Sequence, residues 1–167
     1  LLSIRAQPVA SRCTLVDPST ATTIVSRGAN EGVLEFTARD LDGLPIGGSD
    51  SSGFKANLYT AEGTLLAGPV ATIWPLAGGN MSVDVVVNDI GRYTIVVLLD
   101  GEPLPFVRHL DVNCPLGFFS GAAVVRAGRR RCVECSALAG KVACPDRRVN
   151  TITNLQLLPN YWRATPR

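Results

Sequence analysis

The feature that most constrains this chain is an alternation of apolar and polar residues with period two, cut at short intervals by glycine, proline and aspartate. That period is the repeat of a β-strand with one buried face. A helix needs an apolar stripe at three- and four-residue spacing, and none persists from Ala21 onward. The runs are short: "TTIVS" (22–26), "VLEFTARD" (33–40), "FKANLYT" (54–60), "PVATIW" (69–74), "MSVDVVV" (81–87), "RYTIVVLLD" (92–100) and "FVRHLDV" (106–112). Turn sequences such as "DGLPIGGSDSSG", "AEGT" and "GEP" separate them. Seven short strands in roughly 90 residues predict an all-β sandwich with Greek-key connections.

The alternation also assigns faces. Leu34, Phe36 and Ala38 share one side of their strand, with Glu35, Thr37 and Arg39 on the other. Phe54, Ala56 and Leu58 point inward by the same logic. The predicted core comprises Phe36, Phe54, Leu58, Val85, Tyr93, Ile95 and Val97. "DIGRY" adds a local signature: Asp89, Gly91 and Tyr93 have the D-x-G-x-Y form of a tyrosine corner, in which the Tyr hydroxyl bonds back to nearby backbone. This motif predicts an immunoglobulin-like sandwich of seven strands.

Composition limits the functional classes. The 167 residues give room for one β domain of about 100 residues and a smaller appendage. The chain is 46% hydrophobic, enough for a buried core, and its net charge of +2 argues against nucleic acid as a partner. No segment reaches about 18 apolar residues without a charge, so no direct membrane insertion is expected of this segment. The chain opens with "LLSIRAQPVA", which is read as the end of a preceding repeat plus a linker (1–12). The segment is therefore expected to belong to a longer protein, with other domains of that chain as neighbours.

Catalytic chemistry finds no foothold. The single histidine, His109, sits in a strand without a nucleophile near it in sequence, and G-x-S-x-G and phosphate-loop motifs are absent. No catalytic residue, cofactor or metal is predicted. Asp40 and Asp42 beside Gly43 lack the further acidic ligands of a calcium loop and read as a solvated turn.

The stretch "FTARDLDGLPIGGSDSSGFKANL" resembles the filamin-type immunoglobulin repeat. The family pattern F-T-x-x-x-x-D-x-x-G-x-P, a glycine-rich loop and F-x-V-x-L is matched by Phe36, Thr37, Asp42, Gly43, Pro45, Gly47, Gly48 and Phe54. "GRYTIVVLLDGEPLP" is similar to the family's G-x-Y-x-V-x-V-x-x-x-G strand and turn, while "LPFVRH" replaces its usual G-S-P-F bulge. The resemblance implies a filamin-type domain over 13–112 that acts as a rigid spacer or adhesion module. It also implies a partner groove beside the family's strands C and D.

From Asn113 the sequence changes character, with four of the five cysteines falling between Cys114 and Cys144. "CPLGFFS", a loop and "CVEC" resemble the cysteine-rich modules of tumour-necrosis-factor-receptor and ephrin-receptor type, carried by Cys114, Pro115, Gly117, Phe119, Ser120, Cys132 and Cys135. Residues 113–148 are thus expected to form a small, irregular, disulfide-stapled module, because so short a stretch cannot bury a core of its own. Residues 149–167 form a tail or the start of a next module. Their "NTITNLQLLPNYWRATP" resembles segments of large extracellular proteins of algae and oomycetes.

The preferred pairing within the module is sequential, Cys114–Cys132 and Cys135–Cys144; the rival is Cys114–Cys135 with Cys132–Cys144. Zinc is disfavoured because only one C-x-x-C knuckle is present. Cys13 precedes the first strand and Cys114 follows the last. An eight-residue strand spans about 26 Å, whereas disulfide Cα atoms lie within about 7 Å. Cys13 is therefore an intermodule cysteine or a free thiol.

Three further features bear on partners. Asn80-Met81-Ser82 is an N-x-S sequon before a strand, which makes Asn80 a glycosylation candidate. Arg129-Arg130-Arg131 is a charge run in a loop, read as solvated. Tyr161, Trp162 and Arg163 form an aromatic candidate contact in the tail. Together these readings predict a non-enzymatic, extracellular or cell-surface structural segment with protein partners or self-assembly. Assemblies built from such repeats include ciliary hair filaments and gamete adhesion proteins. A ligand-binding receptor ectodomain and an intracellular filamin-like scaffold repeat are the alternatives.

Overall fold

A computed structural model of the chain describes residues 7–19, 21–26, 29–46, 51–67, 70–126, 129–138, 142–143 and 156–157. Eight strands build a two-sheet sandwich: β1 (Thr14–Leu15), β2 (Ala21–Val25), β3 (Ala29–Thr37), β4 (Phe54–Thr60), β5 (Ala71–Pro75), β6 (Asn80–Val86), β7 (Gly91–Leu99) and β8 (Glu102–Asn113). One sheet has the order β1-β3-β6-β5 and the other β2-β8-β7-β4. The expected first strand, 22–26, is β2, and β1 is a further short strand ahead of it that serves the other sheet. Pro18 interrupts the run, and the Asp17 carboxylate accepts hydrogen bonds from the Ser19 backbone N–H (2.9 Å) and hydroxyl (2.7 Å). That local turn carries the chain from one sheet to the other.

The inward faces of the two sheets supply the core. Phe36, Leu34, Met81, Val83 and Val85 from one sheet are buried, as are Leu58, Ile95, Val97 and Leu110 from the other. Every residue of the predicted core is buried. The Phe36 ring packs on Phe54 and Phe106 at centroid separations of 5.3 and 5.8 Å. Full burial of one such side chain stabilises the fold by about 1.5–3 kcal/mol.

Two irregularities shape the sheets. The β3–β6 register shifts between Asn30 and Leu34, so Glu31, Gly32 and Val33 bulge opposite β6; Asp84 Oδ1 accepts the Gly32 N–H at 2.9 Å and closes the bulge. The two extra residues leave the parity of β3 unchanged, since Asn30 faces Val85 and Leu34 faces Val83; alternation is lost only inside the bulge, where Val33 is buried next to the buried Leu34. Gly79 has φ +80°, and a Cβ there would lie 2.7 Å from the Ile46 carbonyl oxygen, so no other residue fits without backbone movement.

The chain divides into two compact units: Leu1–Ile24 with Ala29–Val86 and Arg92–Asp111, and Val25–Gly28 with Val87–Gly91 and Val112–Arg167. The second unit thus takes in two turn segments from earlier in the chain. It holds a hairpin of β9 (Phe118–Arg126) and β10 (Arg129–Glu134), and a short pair of β11 (Val142–Ala143) and β12 (Gln156–Leu157). The stretch after Cys114 therefore contains regular structure where an irregular module was expected. "GFFSGAAVVR" hides its strand because it lacks polar alternation.

Candidate functional site

β4 and β5 are each an outer strand of their respective sheets. Their edges border a groove of about 540 Å³ lined by residues 54–58, 65–67 and 70–73. The Leu66 N–H donates to the Leu58 carbonyl at 2.9 Å, and Tyr59 bridges to Leu65, so the returning chain covers the far end of β4. The near end differs. Backbone groups alternate sides along a strand, so Phe54 and Ala56 direct their N–H and C=O the same way as Leu58. Among the described residues no strand pairs with them there. The groove therefore joins backbone donors and acceptors left open among the described residues to an apolar wall that includes Leu65, Leu66, Val70 and Ile73. An extended peptide is the ligand such a site accepts chemically.

The cysteines fall into two classes. Cys114 and Cys132 form a disulfide with Cα atoms 5.5 Å apart, and both are buried. The Ser26 hydroxyl lies 3.1 Å from Cys132 Sγ, and the Ser26 N–H donates to the Asn113 carbonyl at 2.8 Å. Cys135 is disulfide-bonded too; its expected partner, Cys144, lies outside the described residues. Cys13 is a free thiol, 2% exposed. Its Sγ donates to the Val9 carbonyl at 3.5 Å, and burial pushes its pKa up. The Val9 N–H in turn donates to the Arg39 carbonyl, so residues 9–13 are tied to the sandwich itself.

Asn80 opens β6 opposite Thr37, whose hydroxyl donates to Asn80 Oδ1 at 2.8 Å. This bond uses the carbonyl oxygen and not the amide nitrogen, on which an N-glycan is built. Asp89 and Tyr93 are buried, and Gly91 begins β7 with φ 146°. His109 is exposed on β8, 3.1 Å from the Thr94 hydroxyl through Nδ1. Tyr161, Trp162 and Arg163 lie outside the described residues. Among the described residues, Cys114 and Cys132 are the predicted site residues that a disulfide bond joins.

Two features escaped the sequence reading. Arg108 is 2% exposed; its guanidinium donates to the Asp17 carbonyl at 2.9 Å and to the Ser19 hydroxyl, and so holds the turn between β1 and β2. Its inward parity with Leu104 and Leu110 in an alternating strand was the available signal. Trp74, on the edge strand β5, is 53% exposed. Among the described residues no group of three or more histidine, cysteine or acidic side chains is arranged to hold a metal. No helix there is long and apolar enough to cross a membrane.

A Lin-41 filamin domain superposes with a TM-score of 0.50 at 19% identity, covering 65% of this chain and 98% of that domain. The fold is immunoglobulin-like. The bacterial integrin-binding protein invasin gives 0.47 at 17% identity, covering 67% of this chain and 21% of its own. The Escherichia coli adhesin FdeC gives 0.46 at 16%, covering 69% and 34%. The matched part of this chain thus corresponds to about a fifth of invasin and a third of FdeC. No family model and no curated protein matches the sequence.

Proposed function

We propose that this chain is a non-enzymatic structural or adhesion segment of a larger extracellular or cell-surface protein. It acts as a rigid spacer and as an assembly contact, with other domains of its own chain or other proteins as partners. The observation that carries this reading is the groove between β4 and β5, where backbone groups of Phe54 and Ala56 that no strand among the described residues pairs border an apolar wall. The disulfide chemistry at Cys114, Cys132 and Cys135 supports an oxidising compartment. The likeness to a filamin domain favours one second reading, an intracellular scaffold repeat.

Thiol counting on native material separates the two. The extracellular reading expects Cys13 as the one thiol that reacts after denaturation without reductant. Reactive thiols at Cys114, Cys132, Cys135 and Cys144 as well would sink it. Surface labelling of intact cells then tests location, and failure of the chain to label would return it to the interior.

A further inference from the structure

The outer face of the β1-β3-β6-β5 sheet carries a second feature, distinct from the edge groove. Along β6 the core takes Met81, Val83 and Val85, so Asn80 and Ser82 belong to the outer face. Register places Glu35 on one side of Ser82 and Trp74 on the other, in one row across β3, β6 and β5. A small residue between two large ones makes a cup of about 400 Å³, and Leu76 lines it as well. Trp74 and Leu76 are both exposed. Apolar area gathered in a concave place marks a contact, and an indole is the side chain with most to gain from one.

The neighbouring residue on β6 names the occupant. Asn80-Met81-Ser82 is the N-x-S sequon, and its serine is the floor of the cup. Asn80 lies across the β5–β6 hairpin from Leu76, whose N–H donates to the Asn80 carbonyl at 2.7 Å. Trp74 is opposite Ser82 and hence diagonal to Asn80, and diagonal neighbours lie about 7–8 Å apart. The Asn80 amide is already oriented. Its Oδ1 accepts the Thr37 hydroxyl at 2.8 Å on the β3 side. The nitrogen, at the other corner of the planar amide, is thereby turned away from β3, to the side on which β5 carries Trp74. A glycan on Nδ2 leaves Oδ1 free to accept, so the Thr37 bond survives modification. The first sugar ring then starts beside Leu76 and reaches the indole. Its C–H groups carry partial positive charge and the face of the indole is negative, so the two surfaces are complementary.

We propose that Asn80 carries an N-linked glycan whose first N-acetylglucosamine packs into the Trp74 cup against the indole. The bond forms between Nδ2 and the anomeric carbon of an oligosaccharide carried on a lipid diphosphate. Nδ2 gives up one proton, and the lipid diphosphate leaves with the bonding electron pair. The glycan covers the exposed apolar area and takes this face of the sheet out of protein contact. The inference rests on the extracellular reading, since such glycans are added in the secretory pathway, and it assigns that segment a modification and a place for it.

Occupancy is read on native protein by release with peptide N-glycosidase in heavy-oxygen water, which returns a glycosylated Asn80 as isotope-marked aspartate in the mass spectrum. Packing is read on the intact chain secreted from cultured eukaryotic cells. Ser82→Ala removes the sequon and leaves Asn80 and its Thr37 bond in place. Hydroxyl-radical oxidation of Trp74, followed by peptide so that Trp162 is counted apart, is expected to be several-fold slower in the parent than in Ser82→Ala. Ser82→Thr keeps the sequon and should protect Trp74 as the parent does. Trp74→Ala is expected to lower the melting temperature of the parent by about 2–4 °C and that of Ser82→Ala by much less, because the sugar contact is then already gone. Should Ser82→Ala fail to fold, enzymatic removal of the glycan from the folded parent gives the same comparison of Trp74 oxidation. A bare Asn80 in native protein overturns the inference. So does a glycosylated parent whose Trp74 oxidises as fast as that of the sugar-free chain, since its glycan projects into water. The thiol count separates the two levels: a bare Asn80 with Cys13 as the one reactive thiol removes the glycan and keeps the extracellular reading, whereas reactive thiols at every cysteine remove both.

Discussion

The sandwich and the cysteine-linked unit solve the same problem by different means. In the sandwich, buried apolar residues come from strands far apart in sequence: Phe36, Leu58, Met81, Ile95 and Leu110 all lie between the two sheets. Stability there is a transfer free energy, and it scales with apolar area removed from water. In the second unit, cysteines stand among the buried residues: Cys114, Cys132 and Cys135 accompany Phe119, Val87 and Val112. A disulfide acts chiefly by restricting the unfolded chain, so it stabilises a region without requiring volume. The two kinds of stability respond to different insults, and this makes the division testable.

The largest effect is expected from Phe36→Ala. It removes the ring that packs on both Phe54 and Phe106 and should cost about 3–5 kcal/mol. Denaturant unfolding followed by the circular dichroism of the strands measures it; a loss below one-third of that range would mean the core is not centred on Phe36. Removing the Cys114–Cys132 link by double substitution to serine should cost the second unit about 3 kcal/mol. Hydrogen exchange is then expected to accelerate in β9 and β10 while amides of β6 and β7 stay protected. Equal acceleration in both places would erase the distinction drawn above. Gly79→Ala comes next, at about 1–3 kcal/mol, because it combines a positive φ with a clash against Ile46. Thermal melting should show the loss in the sandwich, with exchange in β10 unchanged.

The smallest effect concerns Cys13. Burial raises its pKa, so the folded chain keeps the proton where the unfolded chain has lost it. Its contribution is complete below the unfolded thiol value of about 8.5 and declines as pH rises toward and through the folded value. The melting temperature of the parent should therefore fall more steeply above about pH 8.5 than that of Cys13→Ala. Parallel curves for the two would show that the thiol ionises equally in both states.

Legibility from the sequence followed local pattern. Strands such as 81–87 and 92–100 were readable because alternation and turn residues agree, and the burial of Val85, Tyr93, Ile95 and Val97 follows from it. β1 was not readable, because two residues carry no period and their pairing with β3 is a long-range choice. The start of β8 was hidden by Pro103 and Pro105, which read as turn. The strand tolerates them because β2, five residues long, meets β8 near Asn113, away from both prolines. The groove and the Trp74 cup were not readable as sites. Each is made by register between strands distant in sequence, and no window of a few residues contains both walls.

One hydrogen bond has a mechanical meaning. Ser26, just past the end of β2, donates to Asn113 at the end of β8, and the two strands are neighbours in one sheet. Both strands run back from that shared end, so they are parallel. A tension that pulls the chain out ahead of β2 and out behind β8 drags these neighbours past each other lengthwise. Their bonds are then loaded all together and not peeled one at a time. A sandwich wired this way meets a stretching force as shear along the β2–β8 pair, and it passes the load directly from β8 into Cys114.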